Sequence, residues 1–292
     1  MIYKISHRTT YKYVYPVSFG NHVACLKPRS FTHNELISSE LEISPTPTTR
    51  TERVDYFGNS LCFFTVQDPH EELTVEARSR VFIRPNPIAL ATASGPWEES
   101  ALPLSQAHEP EALHAHQFQF ESPRIRTRPE FAAYALQSFT PRRPMHEALR
   151  DLTARIHQDF QFDSKVTTVR TTIEDVFKKR RGVCQDFAHV QIACIRSIHL
   201  AARYVSGYLR TYPPPGKPRL VGADASHAWV SAYCSGLGWL DMDPTNDVVP
   251  SDGHVTIAWG RDYGDVSPLR GLILGGGQHT LKVAVDMEPA SD

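Results

Sequence analysis

Residues 181–189 read Arg181-Gly182-Val183-Cys184-Gln185-Asp186-Phe187-Ala188-His189. A glycine turn precedes a cysteine, and an apolar run comes after it: Phe187, Val190, Ile192, Cys194, Ile195 and Ile198. Apolar residues on much of the circumference predict a buried central helix. Cys184 then falls in its first turn. There the unpaired N–H groups and the positive end of the dipole favour a thiolate. Cys184 is therefore a candidate nucleophile. Such a nucleophile needs a base within reach and a group that orients the base.

Working outward, Thr171-Thr172-Ile173-Glu174 predicts a capping box for the preceding helix, which ends near Arg180-Arg181 with Gly182 as its stop. Met145, Ala148, Leu149, Leu152 and Ile156 predict an earlier helix. After the cysteine helix come strands at Tyr204–Leu209, His227–Tyr233 and Trp239–Met242, with a proline-rich loop from Thr211 to Arg219 and a last strand at Thr280–Val285. The first third is β. Tyr3, Ile5, His7, Thr9, Tyr11 and Tyr13 alternate with polar residues, as do Leu73, Val75, Ala77, Ser79, Val81 and Ile83. This period of two predicts half-buried strands, and several of them without helices predict an antiparallel sandwich. Beyond Arg84 the chain is interrupted by prolines at 85, 87, 96, 103, 110 and 123. The expected division is an N-terminal β-sandwich domain at 1–84, a connecting segment at 85–128 and an α+β core at 129–292.

Composition narrows the function. The 292 residues carry a net charge of -1, which leaves no electrostatic footprint for nucleic acid or a membrane surface. The first 15 residues hold no apolar run of signal-peptide type, and no stretch reaches the roughly 20 apolar residues of a membrane helix. Five scattered cysteines without a Cys-x-x-Cys pair argue against a disulfide framework or a zinc knuckle. The expected setting is reducing and cytoplasmic, without metal or cofactor.

The base and the acid come in order along the chain. Asp224-Ala225-Ser226-His227-Ala228-Trp229-Val230 puts His227 at a strand start, and Trp239-Leu240-Asp241-Met242-Asp243-Pro244 forms the next strand. Antiparallel pairing brings Asp243 beside His227, and Pro244 ends the pairing there. Asp241 shares the face of Asp243 and is its rival. His189 reads as a packed histidine. Asp186 either caps the helix or serves the site. Gly275-Gly276-Gly277 reads as a flexible turn, since no phosphate-loop helix comes after it.

The motifs GVCQDFAH at 182–189, DASHAW at 224–229 and GWLDMDPTN at 238–246 resemble those of bacterial transglutaminase-like proteins, a branch of the papain-like cysteine enzymes. Residues 203–209 and 260–266 and the N-terminal β region are also similar to that branch. The resemblance implies a papain-like core in which a central helix carrying the cysteine packs on an antiparallel sheet. It implies Cys184 as nucleophile, His227 as general base and acid, and Asp243 as the orienting acid. The implied reaction is acyl transfer on a carboxamide or peptide bond through a thioester on Cys184. Water resolves it in a protease or amidase, and an amine resolves it in a transamidase. Partners are then a protein or peptide substrate and, for transamidation, an amine acceptor. The oxyanion rests on the Cys184 N–H and a second donor. Animal transglutaminases use a tryptophan there; the matching region has none, which leaves Thr167 and Thr168 as guesses. Trp229, Tyr208, Asp262 and Tyr263 are candidate cleft residues. No calcium loop of EF-hand type is present. Two rival readings are a non-catalytic peptide-binding scaffold and an acyltransferase of arylamine acetyltransferase type.

Overall fold

The chain opens on a 23-residue strand, β1 (Ile2–Ala24), followed by β2 (Asn34–Ser44), β3 (Thr49–Val54), β4 (Ser60–Val66) and β5 (His70–Ile83). The computed structural model describes residues 1–84, 94–101, 110–163, 171–211 and 225–290. In β1 the side chains of Tyr3, Ile5, His7 and Thr9 are buried while Lys4 and Arg8 are exposed, as the period of two predicts. The sheet order is β2-β5-β1-β4-β3, all antiparallel. β1 serves two partners in turn. Residues 2–12 pair with β5, and residues 20–24 pair with β4. Its two halves thus lie in different parts of one sheet, and Val17, Phe64, Val66, Leu73 and Val75 form an apolar cluster there.

The described parts of 85–128 are packed: a short 3-10 turn covers Trp97–Ser100, α1 spans Pro110–His116, and Phe118 and Ile125 are fully buried. Then come α2 (Pro129–Leu136), α3 (Met145–Asp159), β6 (Gln161–Phe162), α4 (Ile173–Lys179), β7 (Arg181–Gly182) and α5 (Cys184–Ser197). α3 buries the apolar stripe expected of it. The ends of α4 differ from expectation. Thr172 is the cap, accepting from the Asp175 N–H at 3.2 Å. Arg180, not Gly182, takes the left-handed turn, with φ 54°. Its guanidinium lies 4.2–4.9 Å from the rings of Phe177, Phe160 and Tyr134, and this stacking offsets the backbone strain. Gly182 serves close packing instead: a Cβ there would come 2.7 Å from the Asp186 side chain.

Behind α5 stands a four-stranded antiparallel sheet of β8 (Ala202–Leu209), β9 (Ala225–Cys234), β10 (Gly238–Met242) and β11 (His254–Gly260), ordered β10-β9-β8-β11. A short α6 (Tyr263–Val266) comes next. α5 packs on β8 and β9 with Phe187, Val190, Ile192 and Ile195 fully or nearly fully buried. The open edge of β11 is closed by two asparagines of the N-terminal unit. The Asn34 amide exchanges two hydrogen bonds with the Thr256 backbone, at 3.1 and 3.2 Å. Asn59 does the same with Trp259, at 3.1 and 2.8 Å. Each amide takes the place of a neighbouring strand's peptide group.

The last strands, β12 (Leu269–Gly275) and β13 (His279–Ala290), return to β1. The expected division assigns residues 269–290 to the core; their ladder bonds place them in the N-terminal sheet. The cause is β1, whose two halves each need a second neighbour. β12 and β13 track its bend, and Gly275, Gly276 and Gly277 make the corner with φ of +96°, +79° and +65°. A Cβ on Gly275 would lie 2.6 Å from the Pro16 carbonyl oxygen. The expected flexible turn is a fixed corner, bonded to β1 through Val14, Tyr15 and Pro16.

Candidate active site

Cys184 occupies the first position of α5, after Val183 in an extended conformation. The Val183 N–H donates to Asp186 Oδ2 at 2.9 Å, so Asp186 ties the turn that carries the cysteine. The N–H groups of Cys184 and Gln185 have no acceptor within the helix and point toward its open end. Cys184 is half-buried, whereas Cys25, Cys62, Cys194 and Cys234 are buried in the packing.

His227 lies on β9 and Asp243 just beyond β10. The helix, the strand and the strand end bring the three residues together. His227 Nε2 and Asp243 Oδ2 are 2.7 Å apart, with both side chains buried. The imidazole shares its cavity with the Cys184 side chain, which favours the charged ring. Burial opposes the imidazolium, but the bonds and charges of Asp243 and Cys184 outweigh it and lift the His227 pKa to about 9. Asp243 is fully buried, which disfavours its charge, yet its donors hold its carboxyl well below the ordinary carboxylate value. Those donors exceed what the motif suggested. Oδ1 accepts from the N–H groups of Thr245 and Asn246, at 2.9 and 3.3 Å. Oδ2 also accepts from Asn246 Nδ2 at 2.7 Å and is 3.2 Å from His254 Nε2.

His254, on β11, is the residue that sequence reasoning missed. It stands edge-on to Trp229, with ring centroids 5.3 Å apart. His227, Asp243 and His254 place their ligand atoms within 4.8 Å of one another, the one such grouping among the described residues that could hold a cation. Both histidines reach the same oxygen of Asp243 through Nε2, so the carboxylate joins the three side chains.

Asp241 goes elsewhere: its Oδ2 accepts from Trp229 Nε1 at 3.3 Å. Of the four expected cleft residues only Tyr263 lines the cavity beside Cys184. Trp229 is 1% exposed and lies on Gly207, where a Cβ would come 2.4 Å from its ring. Tyr208 is buried against His7, its hydroxyl 2.9 Å from Nδ1. Asp262 is buried as the cap of α6, accepting from the N–H groups of Gly264 and Arg124 at 2.7 and 3.0 Å. His189 is packed as expected. Its Nε2 accepts from the Tyr263 N–H at 3.1 Å, and burial keeps the ring neutral. Thr167 and Thr168 lie outside the described residues, as does Asp224.

The cavity beside Cys184 and His227 has a volume of about 270 Å³. Tyr204 and Ser206 of β8 form one wall, and His7, Thr9, Tyr11, Leu281 and Val283 of the N-terminal sheet form another.

Residues 3–82 match the family described as the bacterial transglutaminase-like N-terminal region, and residues 132–244 match the transglutaminase-like superfamily. An uncharacterized protein of Mycobacterium tuberculosis is 40% identical over 98% of this chain and 92% of its own length. The chain belongs to the transglutaminase-like superfamily. Another relative in Mycobacterium leprae is 31% identical over 97% of both chains. A protein-glutamine gamma-glutamyltransferase of Pseudomonas aeruginosa is 30% identical over 37% of this chain and 17% of its own. Among solved structures, a candidate cysteine protease from Cytophaga hutchinsonii superposes with a TM-score of 0.77 at 20% identity, over 100% of this chain and 92% of the other. That likeness shows that the whole architecture, sheet and core together, is a recurrent fold.

Proposed function

We propose that the protein is a cysteine-dependent acyl-transfer enzyme acting on a carboxamide or peptide bond. The observation that supports this best is the junction of Cys184, His227 and Asp243 at the foot of a cleft. Cys184 Sγ attacks the carbonyl carbon, and His227 passes its proton to the departing amine. Water or a second amine then attacks the thioester, giving its proton to His227. Asp243 fixes the imidazole and supports its charge. The Cys184 N–H donates to the oxyanion. Tyr204, buried and lining the cleft together with Cys184, is the candidate for the second donor. The relatives' names, a protease and a glutamyltransferase, match the two fates of such a thioester. Hydrolysis is the favoured fate, because the cleft rim at Leu281 and Val283 is open to water. A reducing, cytoplasmic setting that keeps the thiol free belongs to the same proposal.

The test is intact-mass trapping of the acyl-enzyme with peptide carboxamides, followed by competition between water and hydroxylamine. A mass increase on the wild type and none on Cys184→Ala is expected. Asp243→Ala lowers turnover by about 10²-fold or more, the usual scale for losing acid–base support. Asp241→Ala changes it only a few-fold. The reverse ranking, or no trapped adduct, overturns the reading.

A further inference from the structure

The N-terminal sheet builds one wall of the cleft. Thr9 pairs with Val283 and Tyr11 with Leu281, and all four side chains line the cavity. Leu281 is 53% and Val283 44% exposed, so apolar area stands open at the rim. Pro268 and Leu269 extend it. Among the described residues that line the cavity there is no Asp, Glu, Lys or Arg. The remaining base on this wall is His7. Its Nδ1 is 2.9 Å from the Tyr208 hydroxyl and its Nε2 3.0 Å from Thr9 Oγ1. Burial lowers its pKa to about 4, so it too is uncharged near neutrality. Along this wall a charged side chain would lose part of its water and meet no counter-charge among the described residues, since the imidazolium of His227 stands at the reacting end of the cavity. An apolar one would cover the exposed leucine and valine.

We propose that this wall determines specificity, selecting acyl donors with an uncharged apolar or aromatic side chain next to the reacting carbonyl. The proposal rests on the reading of Cys184 as the nucleophile.

The probes are chloromethyl ketones of benzyloxycarbonyl-Phe, -Glu and -Lys. The Cys184 thiolate displaces chloride from each, forming a thioether. Alkylation rates are divided by those with N-acetylcysteine, and the site is assigned by peptide mass. The Phe reagent is expected to modify Cys184 at least tenfold faster than the Glu or Lys reagent. Leu281→Lys should slow the Phe reagent and speed the Glu reagent, each at least threefold. Val283→Thr, a milder change at an exposed site, should slow the Phe reagent alone. Leu272→Lys, on β12 and outside the cavity, should change none of them. Equal normalised rates in the wild type, or selectivity untouched at both 281 and 283, overturn the proposal. Iodoacetamide separates the nucleophile from the wall. If it alkylates Cys184 no faster than N-acetylcysteine, the nucleophile reading falls and the cleft proposal with it.

Discussion

Asp243 accepts five contacts on two oxygens, from the backbone of Thr245 and Asn246 and from the side chains of His227, Asn246 and His254. A buried carboxylate with that many donors stays ionised, and an ionised Asp243 keeps the imidazole of His227 in one tautomer. Stability then depends on pH with a definite sign. The folded pKa of His227, about 9, is above the ordinary 6.5, so the group stabilises the fold fully below 6.5. That contribution is lost as pH rises through 9. Asp243 has the opposite sign: its contribution is complete above 3.8 and is lost as pH falls further. The urea midpoint of the wild type should therefore fall between pH 6.5 and 9, and that of His227→Gln should fall less; parallel profiles would refute the assignment. The meeting of Cys184, His227 and Asp243 was legible because each sits in a short motif of distinctive residue types. His254 was not. It reaches Asp243 only through the register of β11 on β8, which no short spacing reports. The misplaced cleft residues have a related cause. Trp229 lies two positions beyond His227 and shares its strand face, but the missing side chain of Gly207 lets the indole sink into the packing.

At the scale of elements, the helices and most strands were readable from their periods, since burial on one face imposes the spacing. The ends were less so. Arg180 ends α4 in a conformation that sequence rules give to glycine, because three aromatic rings hold its guanidinium. The asparagine closures of β11 were not readable at all: Asn34 and Asn59 precede Thr256 and Trp259 by about 200 residues. They carry energetic weight. Asn59 is fully buried and satisfies both backbone groups of Trp259. Asn59→Ala leaves those groups dry and unpaired, and should cost about 2–4 kcal/mol. Chemical denaturation checks this; a loss under about 0.5 kcal/mol, the scale of an ordinary surface change, would mean that water replaces the amide.

For the whole molecule, the expected succession of sandwich, connection and core gives way to an interleaved chain. β12 and β13 belong by their ladder bonds to the sheet that β1 begins. Residues 1–84 expressed alone should thus lack dispersed amide signals in NMR spectra, because both halves of β1 miss a neighbour; a folded spectrum would show that β12 and β13 are dispensable. The pairing of Ile2 with Ala290 also sets a clock. Ribosomes add about 5–20 residues per second, so β1 waits roughly 15–60 s for β13 to be made. Until then its unpaired edge is open to other chains, and Leu281 and Val283 have not yet left the ribosome. α5 is translated about a hundred residues before Leu281 and Val283 complete the wall that faces Cys184. On the nascent chain, Cys184 exists before there is a pocket to choose what it touches.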